Sequence, residues 1–273
     1  SNKHQHSDRV LLAADDDETV FEELNDQLAS YLAPPFSPER VYARQYDRMA
    51  DVTADIVSAV NAGMLLTSFV GHGDVTRWGV APEYGNFILV PRDLSSLTNR
   101  NRLTVVLALN CLNGYFSQSF HHSLAEEWVK TADRGAVACF APAGLAHRWE
   151  HEFLSHLIFA KIFLNGQNRL GDVTLGAKIE AYYSGVSDKV LTSFNLIGDP
   201  ATRLAVHRTP AALVRIHTIT ATAGTGGTIA PAGEKLVFSG GSQTFTLSPA
   251  AGYRVKSITV DGIAESPVSE YTF

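Results

Sequence analysis

Two short turns carry side chains that chemistry often recruits as a pair. Gly71-His72-Gly73 follows the apolar run MLLTSFV (64–70), and Asn110-Cys111-Leu112-Asn113-Gly114 follows LTVVLAL (103–109). A cysteine attacks a carbonyl as the thiolate, and an imidazole supplies and takes back the proton. If both runs are strands of one parallel sheet, both turns emerge at its carboxyl edge, where open α/β sheets keep their sites. The glycines flanking His72 permit positive φ or close backbone approach. The amides of Gly73 and Cys111 are candidates for an oxyanion hole. The chemistry this predicts is thiolate attack on a peptide carbonyl. Each residue also has a plainer reading: Cys111 as a buried free thiol, and His72 as an incidental member of a tight turn.

Asp15, Asp16, Asp17 and Glu18 follow the apolar run RVLLAA and reach the same edge. One of them can orient His72, and another can line a pocket for a basic side chain. Together they can hold a calcium ion, or simply cap the next helix. Trp149 reads equally as a pocket wall or as core at a helix start. The stretch from Ala141 and Pro142 to Leu145 offers backbone groups to an extended peptide. Cys139, inside AVACFA, belongs in the core. His147, His151 and His156 lack the HExxH spacing and no Cys–His ligand pattern is present, so no catalytic zinc is expected. His121 and His122 are expected at the surface. No cofactor is required on this reading, with calcium considered as a structural ion.

The elements that must position these residues follow from periodicity. Val20, Phe21, Leu24, Leu28, Tyr31 and Leu32 have helical spacing, and Pro34 and Pro35 end that helix. RVYARQY (40–46) reads as a strand and 51–62 as a helix with Gly63 as its C-cap. Further helices are expected over 119–131, 149–164 and 172–183, and a strand over 135–142. Strands alternating with helices predict an α/β layered fold around a mostly parallel sheet. From Pro210 onward the chain turns Thr-, Gly- and Val-rich, with short alternating runs separated by GTGG, SGG, PAAG and DG. We expect a first domain over 1–207 and a small antiparallel β domain, truncated at its end, over 208–273.

The 273 residues are 45% apolar and 18% charged, with a formal net charge of -6. That balance disfavours nucleic acid, whose binding draws on clustered Lys and Arg. No run of eighteen apolar residues exists to span a membrane. Two cysteines do not make a disulfide scaffold.

LLTSFVGHGDVTRWG, VVLALNCLNGYFSQSFHHSLAEEW, DRGAVACFAPAG and FNLIGDP, taken in order, resemble the gingipain-type cysteine peptidases, peptidase family C25 of the caspase-like clan. The resemblance covers about residues 9–206. It implies a caspase-like α/β sandwich, a His72–Cys111 dyad, and oxyanion donors at the amides of Gly73 and Cys111. It also implies an acid assisting the histidine, for which Asp16 is the nearest match. Asp17 or Glu18 would replace the aspartate of the arginine-selecting pocket, and Trp149 resembles the tryptophan lining it. An upstream subdomain found in the family is expected to be missing. The final module resembles bacterial surface-protein repeat domains, which implies a secreted or cell-surface enzyme. The expected function is a monomeric cysteine endopeptidase acting on proteins or peptides, with cleavage after Arg or Lys implied. The alternatives are an inactive caspase-like binding or display module, and an acyl-transferring enzyme. A sortase-like arrangement is disfavoured because no basic residue lies close to Cys111 in sequence.

Overall fold

The computed structural model describes residues 8–79, 87–145, 148–206, 216–238 and 243–273. The chain divides into two compact units, Ser1–Ala212 and Leu213–Phe273. The junction expected at 207/208 lies outside the described residues, as do His147, His207 and part of the aromatic loop after His72.

In the first unit the apolar runs form one six-stranded sheet. The elements are β1 (Arg9–Ala14), α1 (Thr19–Ala29), β2 (Ser37–Tyr42), α2 (Met49–Ala62), β3 (Leu66–Val70), a minimal hairpin of β4 (Gly73–Asp74) and β5 (Arg77–Trp78), β6 (Thr104–Leu109), α3 (Leu124–Lys130), β7 (Ala136–Pro142), α4 (Arg148–Phe159), α5 (Leu170–Tyr183), α6 (Asp188–Ser193) and β8 (Phe194–Gly198). The sheet order is β2-β1-β3-β6-β7-β8. All neighbours are parallel except β7 and β8. β3 and β6 are buried along their whole lengths, as strands covered on both faces must be. The chain starts in β1 and moves first to β2 and then across to β3. Open α/β sheets keep their sites where the strand order reverses in this way, here at the carboxyl ends of β1 and β3.

One face packs Leu11, Ala13, Phe69, Val106 and Cys139 against Ile56 of α2 and Trp128 of α3. Helices α1, α4 and α5 associate with one another through separate contacts, with α1 on β1 and α4 on β6. Trp78 anchors the small hairpin to the core: its ring stacks on Phe69 at 4.6 Å and lies 5.8 Å from Trp128. Truncating a buried aromatic of this kind costs about 3–5 kcal/mol, so the hairpin after His72 is firmly seated.

Several boundaries differ from expectation. α3 begins at Leu124 rather than Ser119, because Ser123 and Glu126 form a reciprocal capping box. β2 ends at Tyr42 and tightens into a 3-10 turn over Ala43–Gln45. α4 continues into a π-helical turn, Ala160–Leu164.

The second unit is antiparallel. β9 (Ile216–Ala221) pairs with β11 (Gly233–Phe238), and β10 (Gly227–Ala230), β12 (Thr244–Pro249) and β15 (Glu270–Thr272) form a three-stranded sheet. β13 (Ile258–Val260) and β14 (Ile263–Glu265) form a hairpin whose Asp261-Gly262 turn has φ of 49° and 83°, the geometry an Asp-Gly hairpin favours. Phe245 is buried beside Phe273 at 5.9 Å.

Candidate active site

The sheet register places the two turns side by side. Val70 lies opposite Leu109 on parallel neighbours β3 and β6, and the Gly71 N–H donates to the Leu109 carbonyl at 3.3 Å. His72 and Cys111 each fall two residues beyond that rung. Neighbouring strands are about 4.8 Å apart, so both residues leave the sheet from adjacent tips.

The histidine turn is held from β1. Asp15 is 3% exposed. Its Oδ2 accepts the His72 N–H and its Oδ1 accepts the Asp16 N–H, both at 3.0 Å. Burial pushes its carboxyl up to about 6, outweighing the two N–H bonds that favour the ionised form. A Cβ at Gly71 would come within 2.4 Å of Asp15 Cβ, and one at Gly73 within 2.4 Å of Asn110 Nδ2. Neither glycine has the left-handed backbone. Of the two properties of glycine, close approach is therefore the one this turn uses.

Around the imidazole, Nε2 lies 3.1 Å from Asp17 Oδ2 and 3.9 Å from Glu18 Oε1, with Phe21 edge-on at 5.6 Å. The carboxylate at the ring is thus Asp17, where the resemblance nominated Asp16. Asp16 is exposed, and its N–H serves Asp15. The capping reading of the acids also needs correction. Glu18 occupies the N-cap position of α1 without a side-chain cap bond, and its Oε2 instead accepts from Arg148 Nη1 at 2.6 Å. Carboxylate oxygens of Asp15, Asp16 and Asp17 lie within 4.8 Å of one another, a donor set suited to a hard cation such as calcium. Two of the three already serve His72, through its amide and its ring.

Cys111 is half-buried. The next residue, Leu112, has φ of 62°, which costs a branched residue about 1–2 kcal/mol. Such strain persists where surrounding bonds over-determine the backbone. Here Leu112 N–H donates to Gly144 at 3.3 Å, Tyr115 N–H to Leu112 at 3.0 Å, and Gly114 N–H to Pro142 at 2.8 Å. Gly114 lies so close to Ala141 that a Cβ would stand 2.6 Å from its carbonyl oxygen.

Those bonds correct the role expected of Ala141 and Pro142. Both are buried in β7 and paired to β8. The carbonyls of Pro142 and Gly144 already accept from the cysteine loop. They support Cys111 from behind, and the exposed part of this segment is Leu145.

Trp149 is 53% exposed, which removes its core reading. It sits on the first turn of α4, next to the Arg148 that reaches Glu18. Cys139 is fully buried and burial pushes its thiol up, so it is core. His156 is buried in α4 with Tyr31 Oη at 3.0 Å and Gln27 Oε1 at 3.2 Å, and His151 is buried against Phe194. His121 and His122 are exposed.

Sequence reasoning missed Asp15 as the holder of the His72 amide, and Asn110 and Asn113 as parts of the site. Asn110 and Asn113 are each 1% exposed. Asn110 Nδ2 donates to Asn113 Oδ1 at 2.9 Å. Asn113 Nδ2 donates to the carbonyls of Asp74 and Arg77. Two buried-type polar residues bracketing a cysteine, Asn-Cys-Leu-Asn, were the available signal.

The profile of Peptidase family C25 matches residues 1–205. The chain belongs to peptidase family C25. Among curated relatives, gingipain R2 of Porphyromonas gingivalis is 27% identical over 157 residues, covering 54% of this chain and 20% of that protein. Gingipain R1 of the same species is 27% identical over the same length, covering 15% of its own sequence. This C25 chain therefore spans about a fifth or less of the curated relatives it matches. Among solved structures, the crystal structure of the Arg-specific cysteine proteinase gingipain R aligns with a TM-score of 0.63 at 16% identity, covering 99% of this chain and 61% of that one. A further protease structure aligns at 0.59 and 13% identity, covering 96% and 58%. The mixed α/β sandwich of the first unit is thus the gingipain-type, caspase-like fold. Among the described residues no helix is long and apolar enough to cross a membrane.

Proposed function

We propose that this C25 chain is a secreted or cell-surface cysteine endopeptidase, acting as a monomer on proteins or peptides through Cys111 and His72. The Cys111 thiolate adds to the scissile carbonyl, and His72 gives a proton to the departing amine. Water activated by the same imidazole then releases the acyl-enzyme. With Nε2 facing Asp17, Nδ1 is the ring nitrogen left to exchange these protons. The amides of Gly73 and Cys111 are the oxyanion donors. Cleavage after Arg or Lys is the proposed selectivity. It draws on Asp16, Asp17 and Glu18 beside the exposed Trp149, and on the Arg-specific relative.

The observation that carries this reading is the Val70–Leu109 register, which sets His72 and Cys111 at equal distances past neighbouring strand tips. The test is hydrolysis of a fluorogenic peptide library together with alkylation of Cys111 by iodoacetamide. Rapid alkylation of Cys111, slowed in His72→Ala, and turnover lost in Cys111→Ala are expected. Equal, slow alkylation of both cysteines and no turnover of any peptide would refute it. Turnover only after apolar residues would refute the basic selectivity alone.

A further inference from the structure

We propose that Asn113 is a positioning residue that clasps the cysteine turn to the histidine hairpin; this rests on the dyad reading above. The two reacting groups come from different strands, and the sheet fixes only their backbones up to Leu109 and Val70. Beyond those rungs each turn needs its own support. Asn113 supplies a link between them. Its carboxamide nitrogen donates to the carbonyls of Asp74 and Arg77, the paired residues that flank the tip of the hairpin following His72. Its oxygen accepts from Asn110, the residue before Cys111. Its own carbonyl accepts the Ala125 N–H at 3.1 Å, while Leu124 N–H donates to Val75 at the hairpin tip at 2.7 Å. The start of α3 therefore holds both loops as well.

The orientation of this clasp is fixed by chemistry. Backbone carbonyls only accept, so the Asn113 amino group must face Asp74 and Arg77. Its oxygen must then face Asn110, which must donate. Asn110 in turn lies against Gly73, where a Cβ would meet its nitrogen at 2.4 Å and its Cγ at 2.7 Å. Gly73 is the residue after His72, and its amide is an oxyanion candidate. A continuous path of buried contacts thus runs from the residue before the nucleophile to the residue after the base. Carboxamides suit this place because they stay neutral, so the link does not titrate with the dyad it spans.

The test uses the full chain. For the native protein, His72→Ala, Asn113→Ala and the control Thr104→Val, the rate of Cys111 alkylation by iodoacetamide is measured from pH 5.5 to 9, alongside kcat, KM and thermal unfolding. Thr104→Val breaks a buried hydroxyl pair with Thr67, 2.9 Å long, at the far end of β6 from Cys111. Asn113→Ala is expected to lower kcat at least tenfold with KM changed less than threefold. Its alkylation pH dependence should coincide with that of His72→Ala. Thr104→Val should lose stability and keep the native pH dependence. If Asn113→Ala loses stability but keeps the native pH dependence, the clasp is overturned and the dyad stands. If the native protein already alkylates like His72→Ala, the dyad fails and the clasp with it. Where Asn113→Ala does not fold, Asn110→Ala decides. It removes the link to Asn113 and the wall against Gly73, at least a threefold fall in kcat is expected, and an unchanged kcat overturns the clasp.

Discussion

Replacing Asp15 by Asn should make the chain progressively more stable relative to the native protein as pH rises, while weakening the site. Burial holds the Asp15 carboxyl near 6 in the folded chain, against an ordinary 3.8. The folded state therefore binds this proton more tightly than the unfolded state. Its contribution to stability is complete below about 4 and is lost as pH rises through about 6. A shift of roughly 2 units at about 1.4 kcal/mol per unit gives about 3 kcal/mol. Asparagine has no such dependence. The difference in unfolding free energy, variant minus native, should grow by about 3 kcal/mol between pH 4 and pH 7.5. Taking the difference cancels every other titrating group that the two proteins share. Urea unfolding at five pH values in that range measures it. A difference that stays flat would show that the two N–H bonds balance burial, and one that falls with pH that they outweigh it; either refutes the reasoning. The functional cost follows from the same geometry. Asparagine must turn its amino group toward either the His72 or the Asp16 N–H, so peptide hydrolysis should drop even where stability improves.

Gly73→Ala should reduce kcat strongly, because its Cβ would meet the buried Asn110 carboxamide at 2.4 Å and the turn must move; overpacking of this kind costs about 1–3 kcal/mol, and an alanine variant with native turnover would contradict the close-approach argument. Acid should destabilise the native chain overall. Burial lowers both His151 and His156 to about 4, so their contribution is present above about 6.5 and lost as pH falls through 4. At about 3 kcal/mol each, by the same conversion, the two rings outweigh the opposing gain of about 3 kcal/mol from Asp15, and His156→Gln should remove most of the net loss seen in melting curves between pH 6.5 and pH 4. Asp17→Asn should slow alkylation of Cys111 more than Asp16→Asn, since Asp17 is the carboxylate 3.1 Å from the imidazole; equal effects would argue that neither acid orients His72.

The parts of this site that sequence discloses are those encoded by local pattern. Continuous apolar runs before His72 and Cys111 announce buried parallel strands, and both turns do lie at one sheet edge. The start of α3 was also readable, since Ser123 and Glu126 have capping-box spacing while Ser119 has no acid three residues on. What resisted reading is the set of polar side chains whose partners are backbone groups far along the chain. Asp15 meets the amide of His72, 57 positions away, and Asn113 meets carbonyls 36 and 39 positions back. Nothing in the spacing of DDDE says which acid turns inward. Asp15 is the acid that packs against Gly71 and accepts the His72 N–H, while the two acids that follow are exposed and Asp17 meets the ring.

This division has a physical reason. Apolar burial is nondirectional and repeats with the strand, so it leaves a periodic trace. A buried hydrogen bond depends on one orientation and leaves a single letter. Asp15, Asn110 and Asn113, which hold the two turns, are of the second kind. Burying the two carboxamides is costly without the bonds they make, so the links from Asn113 to Asn110, Asp74 and Arg77 favour ordering of the two loops together.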